Sequence, residues 1–311
     1  HVDTLSKLDG IDGLVVADER PDVVAAVAAK HLAAKHNVKP ADSVEALLDS
    51  GVDGVVVAAA TPAHAELTLA AVHRGLPTFC EKPIASTAAE SAHVAAAIAA
   101  AGVPVQVGYQ RRFDTAFAAA KAAVDSGSLG HLHTVHSTTM DPAPPPMDYI
   151  KDSGGIFRDC AVHDFDVLRW ITGQNAVEVY ATGTVQGDPR FAEYGDVDTA
   201  AVVVMFDGGA IGIVSAARYN ARGYDCRLEV HGFTDTVVAG WDQGTPMRNM
   251  DPRNDFPAGP YHRFFMDRFT EAFRAEPAAF VSVVNGADIS GATVADAVEV
   301  AWLAEAATES L

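Results

Sequence analysis

Between Gly13 and about Val107 the chain repeats one local theme, a short unbroken apolar run followed by a longer amphipathic stretch. The apolar runs are LVVAD (Leu14 to Asp18), Val55 to Ala59, Thr78 to Cys80 and Val103 to Val107. They are too short for helices and lack the alternation of a strand with one wet face. Between them, Val23 to Ala34, Val44 to Leu48, Ala63 to Arg74 and the stretch from Thr87 to Ala101 read as helices. Thr87 and Glu90 have the spacing of a capping box, and Gly75 and Gly102 stand where helices close in a left-handed residue. Strands apolar on both faces and separated by helices belong in a parallel sheet. This part of the chain is therefore expected to be an α/β domain of the doubly wound type.

Beyond Gly108 the rhythm changes. Phe113 to Val124 reads as a helix and Leu132 to Thr139 as a strand. The prolines of DPAPPP (Asp141 to Pro146) cannot donate to a ladder and predict an extended loop. One helix is expected from Gly155 to Ile171. It is followed by strands at Val177 to Thr184, Thr199 to Phe206, Ala210 to Ala217 and Arg227 to Val230, with a turn at Asp207-Gly208-Gly209. Long neighbouring strands without helices between them imply an open, mostly antiparallel sheet. Helices at Tyr261 to Arg274 and Ala292 to Glu309 close the chain. At ~150 residues per domain, a length of 311 suggests two domains. The change of pattern places them at residues 1–107 and 108–311.

Composition narrows the partners. The 22 Lys and Arg against 41 Asp and Glu leave a formal charge of −19. Nucleic acid and anionic membranes are approached through clustered basic residues, so neither is expected as a partner. A hydrophobic share of 49% with 20% charged residues excludes a disordered chain. Cys80, Cys160 and Cys226 form no even framework and no C-x-x-C pair, which points to a reducing, cytoplasmic setting. No run reaches the ~18 apolar residues that a membrane helix needs. His1 is not a natural start, so residues upstream are expected.

Three places could carry chemistry. Asp18 ends the first apolar run, where a carboxylate in a nucleotide-binding sheet accepts hydrogen bonds from ribose hydroxyls; on position alone, a turn or cap residue is the plainer reading. A glycine fingerprint should precede such an aspartate by ~20 residues, and only 17 residues stand before it. The first strand and its phosphate loop are thus expected to be missing. Glu81-Lys82-Pro83 follows the third run, at the strand end where open α/β sheets bind ligands; a solvated charge is the plain alternative. In GGIFRDCAVHDFDVLRW, Asp159 and His163 are four apart and share a helical face, a carboxylate beside an imidazole suited to general acid–base work. A helix ion pair would use the same spacing. His131 and His133 share a strand face without an evident third metal ligand, and no metal is expected. Cys160 reads as packing. The sequence holds no G-x-S-x-G, H-E-x-x-H or Walker loop.

Asp18, AATPAHAEL with Thr61, Pro62 and His64, CEKP (Cys80 to Pro83), GYQRRFD from Gly108 and SGGIFRDCAVHDFDVLRW from Ser153 occur in order along nearly the whole chain. Together they resemble the Gfo/Idh/MocA family of glucose-fructose oxidoreductases, inositol dehydrogenases and related NAD(P)-dependent sugar dehydrogenases. The resemblance implies an N-terminal Rossmann domain and a C-terminal α/β domain whose open sheet builds a homo-oligomer, a dimer or tetramer. It implies Lys82 beside nicotinamide and substrate, Asp159 as a substrate carboxylate and His163 as the general acid–base. Asp18, Thr61, Pro62, His64, Glu81 and Lys82 would line the cofactor site, with Asp18 favouring NAD and Arg20 leaving NADP open. Within the family the chain is most similar to inositol 2-dehydrogenases, which makes Arg111, Asp141 and Tyr224 polyol contacts. It departs in having Met140 before Asp141, where arginine is common. The implied reaction is oxidation of myo-inositol to its 2-keto form. Another sugar dehydrogenase, an NAD-dependent glycosidase and a noncatalytic nucleotide-binding regulator are the alternatives.

Overall fold

A computed structural model describes residues 1–34, 36–253 and 259–311. Its twelve strands are β1 (Leu14–Val16), β2 (Val38–Pro40), β3 (Val55–Val57), β4 (Thr78–Glu81), β5 (Val105–Gly108), β6 (Leu132–Met140), β7 (Ala176–Thr184), β8 (Thr199–Phe206), β9 (Ile211–Ala217), β10 (Asp225–Gly232), β11 (Thr236–Ala239) and β12 (Ala292–Thr293). The chain divides into two compact units, His1–Gln110 with Phe273–Val298, and Arg111–Ala272 with Glu299–Leu311. The second half is thus not one continuous domain from residue 108 onward.

In the first unit β3, β4 and β5 pair in parallel, as the continuous apolar runs demand, while β1 and β2 form a separate parallel pair. The core of the larger sheet is dry: Phe79 is 1% exposed, and Cys80 and Val107 are fully buried. The helix Ala88–Ala101 begins as its capping box predicts. Thr87 Oγ1 accepts from Glu90 N at 3.1 Å, Glu90 Oε2 accepts from Ser86 N at 3.0 Å, and Gly102 ends the helix at φ +66°.

The return of Phe273–Val298 to this unit departs from the sequence reading and has a packing cause. Instead of a helix over Tyr261 to Arg274, there is a short helix Phe265–Arg268 and then a longer one, Ala272–Val284, with Pro277 inside it. An interior proline reads as a stop, which hid the helix. Phe280 and Val283 on that helix are buried with Phe79, against Val56, Val284 and Ile289. β12 then pairs antiparallel with β5 and occupies the start of the expected helix, which runs over Val294–Ser310.

The second unit is built on one six-stranded sheet in the order β11-β10-β6-β9-β8-β7. All pairings are antiparallel except β6 with β9, so the sheet is mixed. The helix Val162–Thr172 covers one face, with Phe165, Val167, Leu168 and Ile171 fully buried. Gly212 lies beneath it; a Cβ there would meet Leu168 at 2.8 Å. Across the other face runs one register row, Tyr180, Val203, Ile213, His136, Glu229 and Val238.

The expected single helix from Gly155 to Ile171 is two helices, Ile156–Asp159 and Val162–Thr172. Between them Ala161 N reaches back five residues to Ile156 O at 2.8 Å, and His163 N only three, to Cys160 O at 3.4 Å. This slip breaks the i to i−4 ladder, so Asp159 and His163 do not sit one turn apart on a single helix.

Two buried ion pairs pin the longer of these helices. Arg112 forks onto Asp166, with Nη2 to Oδ1 at 2.6 Å. Arg111 Nη1 donates to Asp164 Oδ1 at 2.8 Å, and that oxygen also accepts from Ser137 at 2.5 Å and Thr139 at 2.8 Å. Arg111 is 1% exposed and Asp164 fully buried. Breaking a buried pair strands a charge, at a cost of about 3–5 kcal/mol, whereas replacing both members by apolar groups costs far less. In urea titrations D164A should lose about that much stability and the double variant R111M/D164L clearly less. Equal losses in the two would remove the pair from this role.

Candidate active site

In the first unit the predicted residues gather at the carboxyl ends of parallel strands. β3 and β4 pair with Val57 opposite Cys80, so the segments that follow them, with Thr61-Pro62 and Glu81-Lys82, leave the sheet at the same edge. Thr61 and Pro62 open the helix Thr61–Val72, whose N-cap Ala60 has no side chain to accept its amides. Glu81 ends β4. Its carboxylate lies so close to Gly108 that a Cβ there would meet Oε2 at 2.8 Å, which explains the glycine. Lys82 follows, half-buried.

Asp18 lies two residues beyond β1 and is solvent-exposed. Its Oδ1 accepts from the backbone N of Arg20 at 3.0 Å and from Arg20 Nε at 3.2 Å. The backbone bond, then the side-chain bond, hold its carboxyl below the usual aspartate range, so it stays an anionic acceptor. His64 differs from the expectation of a cofactor contact. It is 2% exposed, and both ring nitrogens are taken, Nδ1 at 2.7 Å from Pro83 O and Nε2 at 2.9 Å from Ala59 O. It braces the loop after β3 to the loop after β4 rather than facing outward.

In the second unit the parallel ladder of β6 and β9 sets the geometry. Met140 pairs with Ala217, and Asp141 N donates to Ala217 O at 2.8 Å, so Asp141 and Arg218 emerge side by side at the same end. Arg218 Nη1 donates to Asp141 Oδ2 at 3.3 Å, and Nη2 donates to Asp159 Oδ2 at 2.7 Å. Tyr149 Oη donates to Asp159 Oδ1 at 2.7 Å. Side-chain exposure is 3% for Arg218, 17% for Asp141 and 12% for Asp159. Burial pushes the Asp141 carboxyl above its usual value, with Arg218 opposing. Burial also works against the charge on Arg218, and its carboxylate neighbours more than restore it. Burial, then Asp159, raises the Tyr149 phenol far above its usual value, so it stays a donor. His163 is half-buried, second in its helix and next to the pinned Asp164.

Behind this group stands Asp196, 8% exposed, whose Oδ1 accepts from Ile156 N at 2.9 Å. Gly155 makes room for it at φ +88°, since a Cβ would approach Oδ1 at 3.1 Å. Arg218, Tyr149 and Asp196 were not singled out from the sequence. Two expected polyol contacts are placed otherwise. The guanidinium of Arg111 is closed in by Asp164 and Thr139, as above. Tyr224 is 4% exposed and packs edge-on against Phe265 and Phe269, so it serves the core. His131 stacks on Phe233, and His133 on His231. No helix among the described residues is long and apolar enough to cross a membrane.

Comparison with known proteins agrees with this arrangement. Residues 18–109 match the family model for the oxidoreductase family with an NAD-binding Rossmann fold, and residues 117–238 match the GFO/IDH/MocA C-terminal domain. The chain is 34% identical over 311 residues to myo-inositol 2-dehydrogenase of Thermotoga maritima, covering 100% of this chain and 92% of that protein. It is 36% identical over 278 residues to inositol 2-dehydrogenase of Rhizobium meliloti, covering 89% of this chain and 82% of that one. The crystal structure of a myo-inositol dehydrogenase from Corynebacterium glutamicum superposes with a TM-score of 0.88 at 31% identity, over 99% of this chain and 91% of the other.

The raised carboxyl of Asp196, caused first by burial, gives a signed expectation. The fold binds its proton more tightly than the unfolded chain does. Its contribution to stability is therefore largest at low pH and falls as pH rises from the unfolded value, 3.8, through the higher folded one. D196N keeps an oxygen for Ile156 N and removes the charge. Thermal melts from pH 4 to 8 should show the stability of D196N rising relative to wild type as pH increases; a pH-independent difference would contradict the assignment.

Proposed function

The chain belongs to the Gfo/Idh/MocA family of NAD-binding oxidoreductases, and we propose that it oxidises a secondary ring hydroxyl of a cyclic polyol, myo-inositol to its 2-keto form. The observation that carries this reading is the match along both halves to inositol 2-dehydrogenases, joined to a half-buried pair of carboxyl groups, Asp141 and Asp159, tied to one arginine. Carboxylate acceptors suit a substrate that presents many hydroxyls and no charge.

The residues of the first unit fit NAD. Asp18 is exposed, anionic and at a strand end, as a partner for ribose hydroxyls must be. The uncapped helix start at Thr61-Pro62 and the half-buried Lys82 share the neighbouring strand edge. We assign Asp18, Thr61, Pro62, Glu81 and Lys82 to holding the cofactor, with His64 fixing the loops around them. When bound, NAD supplies the hydride acceptor at nicotinamide C4. By the family's motifs, His163 would take the hydroxyl proton, Lys82 would hold and polarise the reacting oxygen, and Asp159 would orient the ring. Its neighbour Asp164, in a buried pair, keeps the His163 backbone from shifting. Three free, buried cysteines fit a cytoplasmic enzyme. The exposed row through Tyr180, Val203 and Val238 fits a homo-oligomer formed on the open sheet face.

Following reduced nicotinamide absorbance with a panel of inositols, pentoses and hexoses tests the reading. Myo- or scyllo-inositol should be the best substrate, and no reduction with any polyol would refute it. H163A should lower kcat by about 10²- to 10⁴-fold while the Kd for NAD stays within about twofold of wild type. An equal loss in both would argue against an acid–base role. At the ribose, a carboxylate repels a 2′-phosphate, so D18S should lower the NAD-to-NADP ratio of kcat/KM by at least about tenfold, about 1.4 kcal/mol. An unchanged ratio would take Asp18 out of cofactor selection.

A further inference from the structure

Arg218 has no place in the roles assigned above, yet it is the residue to which two of the polyol-facing carboxylates are tied. It is 2% exposed, and its two terminal nitrogens go to different partners, Asp141 at 3.3 Å and Asp159 at 2.7 Å. These carboxylates come from separate segments, one after β6 and one from the helix Ile156–Asp159. Arg218 itself is fixed twice: the parallel ladder of β6 and β9 delivers it beside Asp141, and its backbone N donates to Asp198 O at 2.7 Å. A planar fork with fixed spacing between its nitrogens sets the spacing of what it binds.

We infer that Arg218 is a positioning residue for polyol oxidation, holding Asp141 and Asp159 at a set spacing so that each accepts from a different hydroxyl of the ring. The inference rests on the function proposed above. A carboxylate has two oxygens and room for more acceptor contacts than Arg218 uses. Asp141 Oδ2 faces Arg218, while no described residue donates to its Oδ1. Asp159 is steadied from its other side by Tyr149.

Charge is the second part of the role. The groups facing this cluster are Asp141, Asp159, Asp196, Tyr149, Tyr224, Cys160, Asp164 and the cations Arg218 and Arg111. Arg111 is paired with Asp164, and Arg218 is bonded to both Asp141 and Asp159. Without it, burial and mutual repulsion would favour protonation, and a protonated carboxyl offers a poorer acceptor. A lysine would keep the charge but not the fork.

Two measurements on R218M and R218K test this. The first is carbon-13 NMR titration of the aspartate carboxyls, which does not depend on activity. In R218M the carboxyls assigned to Asp141 and Asp159 should titrate at higher pH than in wild type, with R218K between; unchanged midpoints in both variants would overturn the inference. The second is kinetic. R218M should raise KM for the polyol at least about tenfold, the scale of a lost buried charge contact, with a smaller change in kcat and an acid limb of kcat/KM displaced to higher pH. R218K should recover part of each. Wild-type KM and an unshifted acid limb in variants that still bind NAD would refute the role. If R218M does not fold, R218K decides by both readouts. If wild type reduces no NAD with any polyol, the proposed function fails, and the carboxyl titration still reports on Arg218.

Discussion

One parallel ladder in an otherwise antiparallel sheet organises the second unit. Because β6 and β9 run the same way, their carboxyl ends leave the sheet together, and two residues 77 apart in sequence, Asp141 and Arg218, become neighbours. The same strand β6 offers Ser137 and Thr139 to the face where the helix Val162–Thr172 packs, and both hydroxyls close on Asp164. Arg111 and Arg112 fasten that helix at Asp164 and Asp166 on either side of Phe165. The half-buried His163 therefore rides on an element held by two internal ion pairs and an apolar face. Its orientation is a property of the sheet as much as of the helix.

The first unit solves a related problem by ordinary α/β means. Parallel strands bring the segments after β3 and β4 to one edge, and a buried imidazole between Ala59 and Pro83 sets the distance between those loops. Lys82 follows a strand whose residues Thr78, Phe79 and Cys80 are all buried, which gives a flexible side chain a rigid root. The exposed group is Asp18, kept anionic by a local turn with Arg20 rather than by a distant partner.

How much of this was legible in the sequence follows from range. Local signals held: the capping box at Thr87, the glycine stop at Gly102 and the apolar strands of the parallel sheet depend on a few adjacent residues. The motifs also single out Asp141 and Asp159, which the structure joins through Arg218. What could not be read depends on pairing. The fork of Arg218 needs the β6–β9 register, and hydrophobic pattern alone does not say which strands pair or in which direction. The helix Ala272–Val284 was hidden by Pro277, and its packing on Phe79 joins residues about two hundred positions apart. Arg111 and Tyr224 read as polar contacts because side-chain chemistry is visible in a sequence and burial is not. The burial of His64 between two carbonyls is invisible for the same reason.

The excursion of the chain has a consequence for the order in which it can fold as it is made. The first unit is started early, but Phe280, Val283 and β12, which cover Phe79 and the edge of β5, are translated only after the whole six-stranded sheet. Until residues 273–298 emerge from the ribosome, β5 keeps an open edge and Phe79 lacks its partners. The nascent first unit must therefore wait, unfinished, while the six-stranded sheet of the second is synthesised. Each unit closes only when its late segment, 273–298 for the first and 299–311 for the second, has been made.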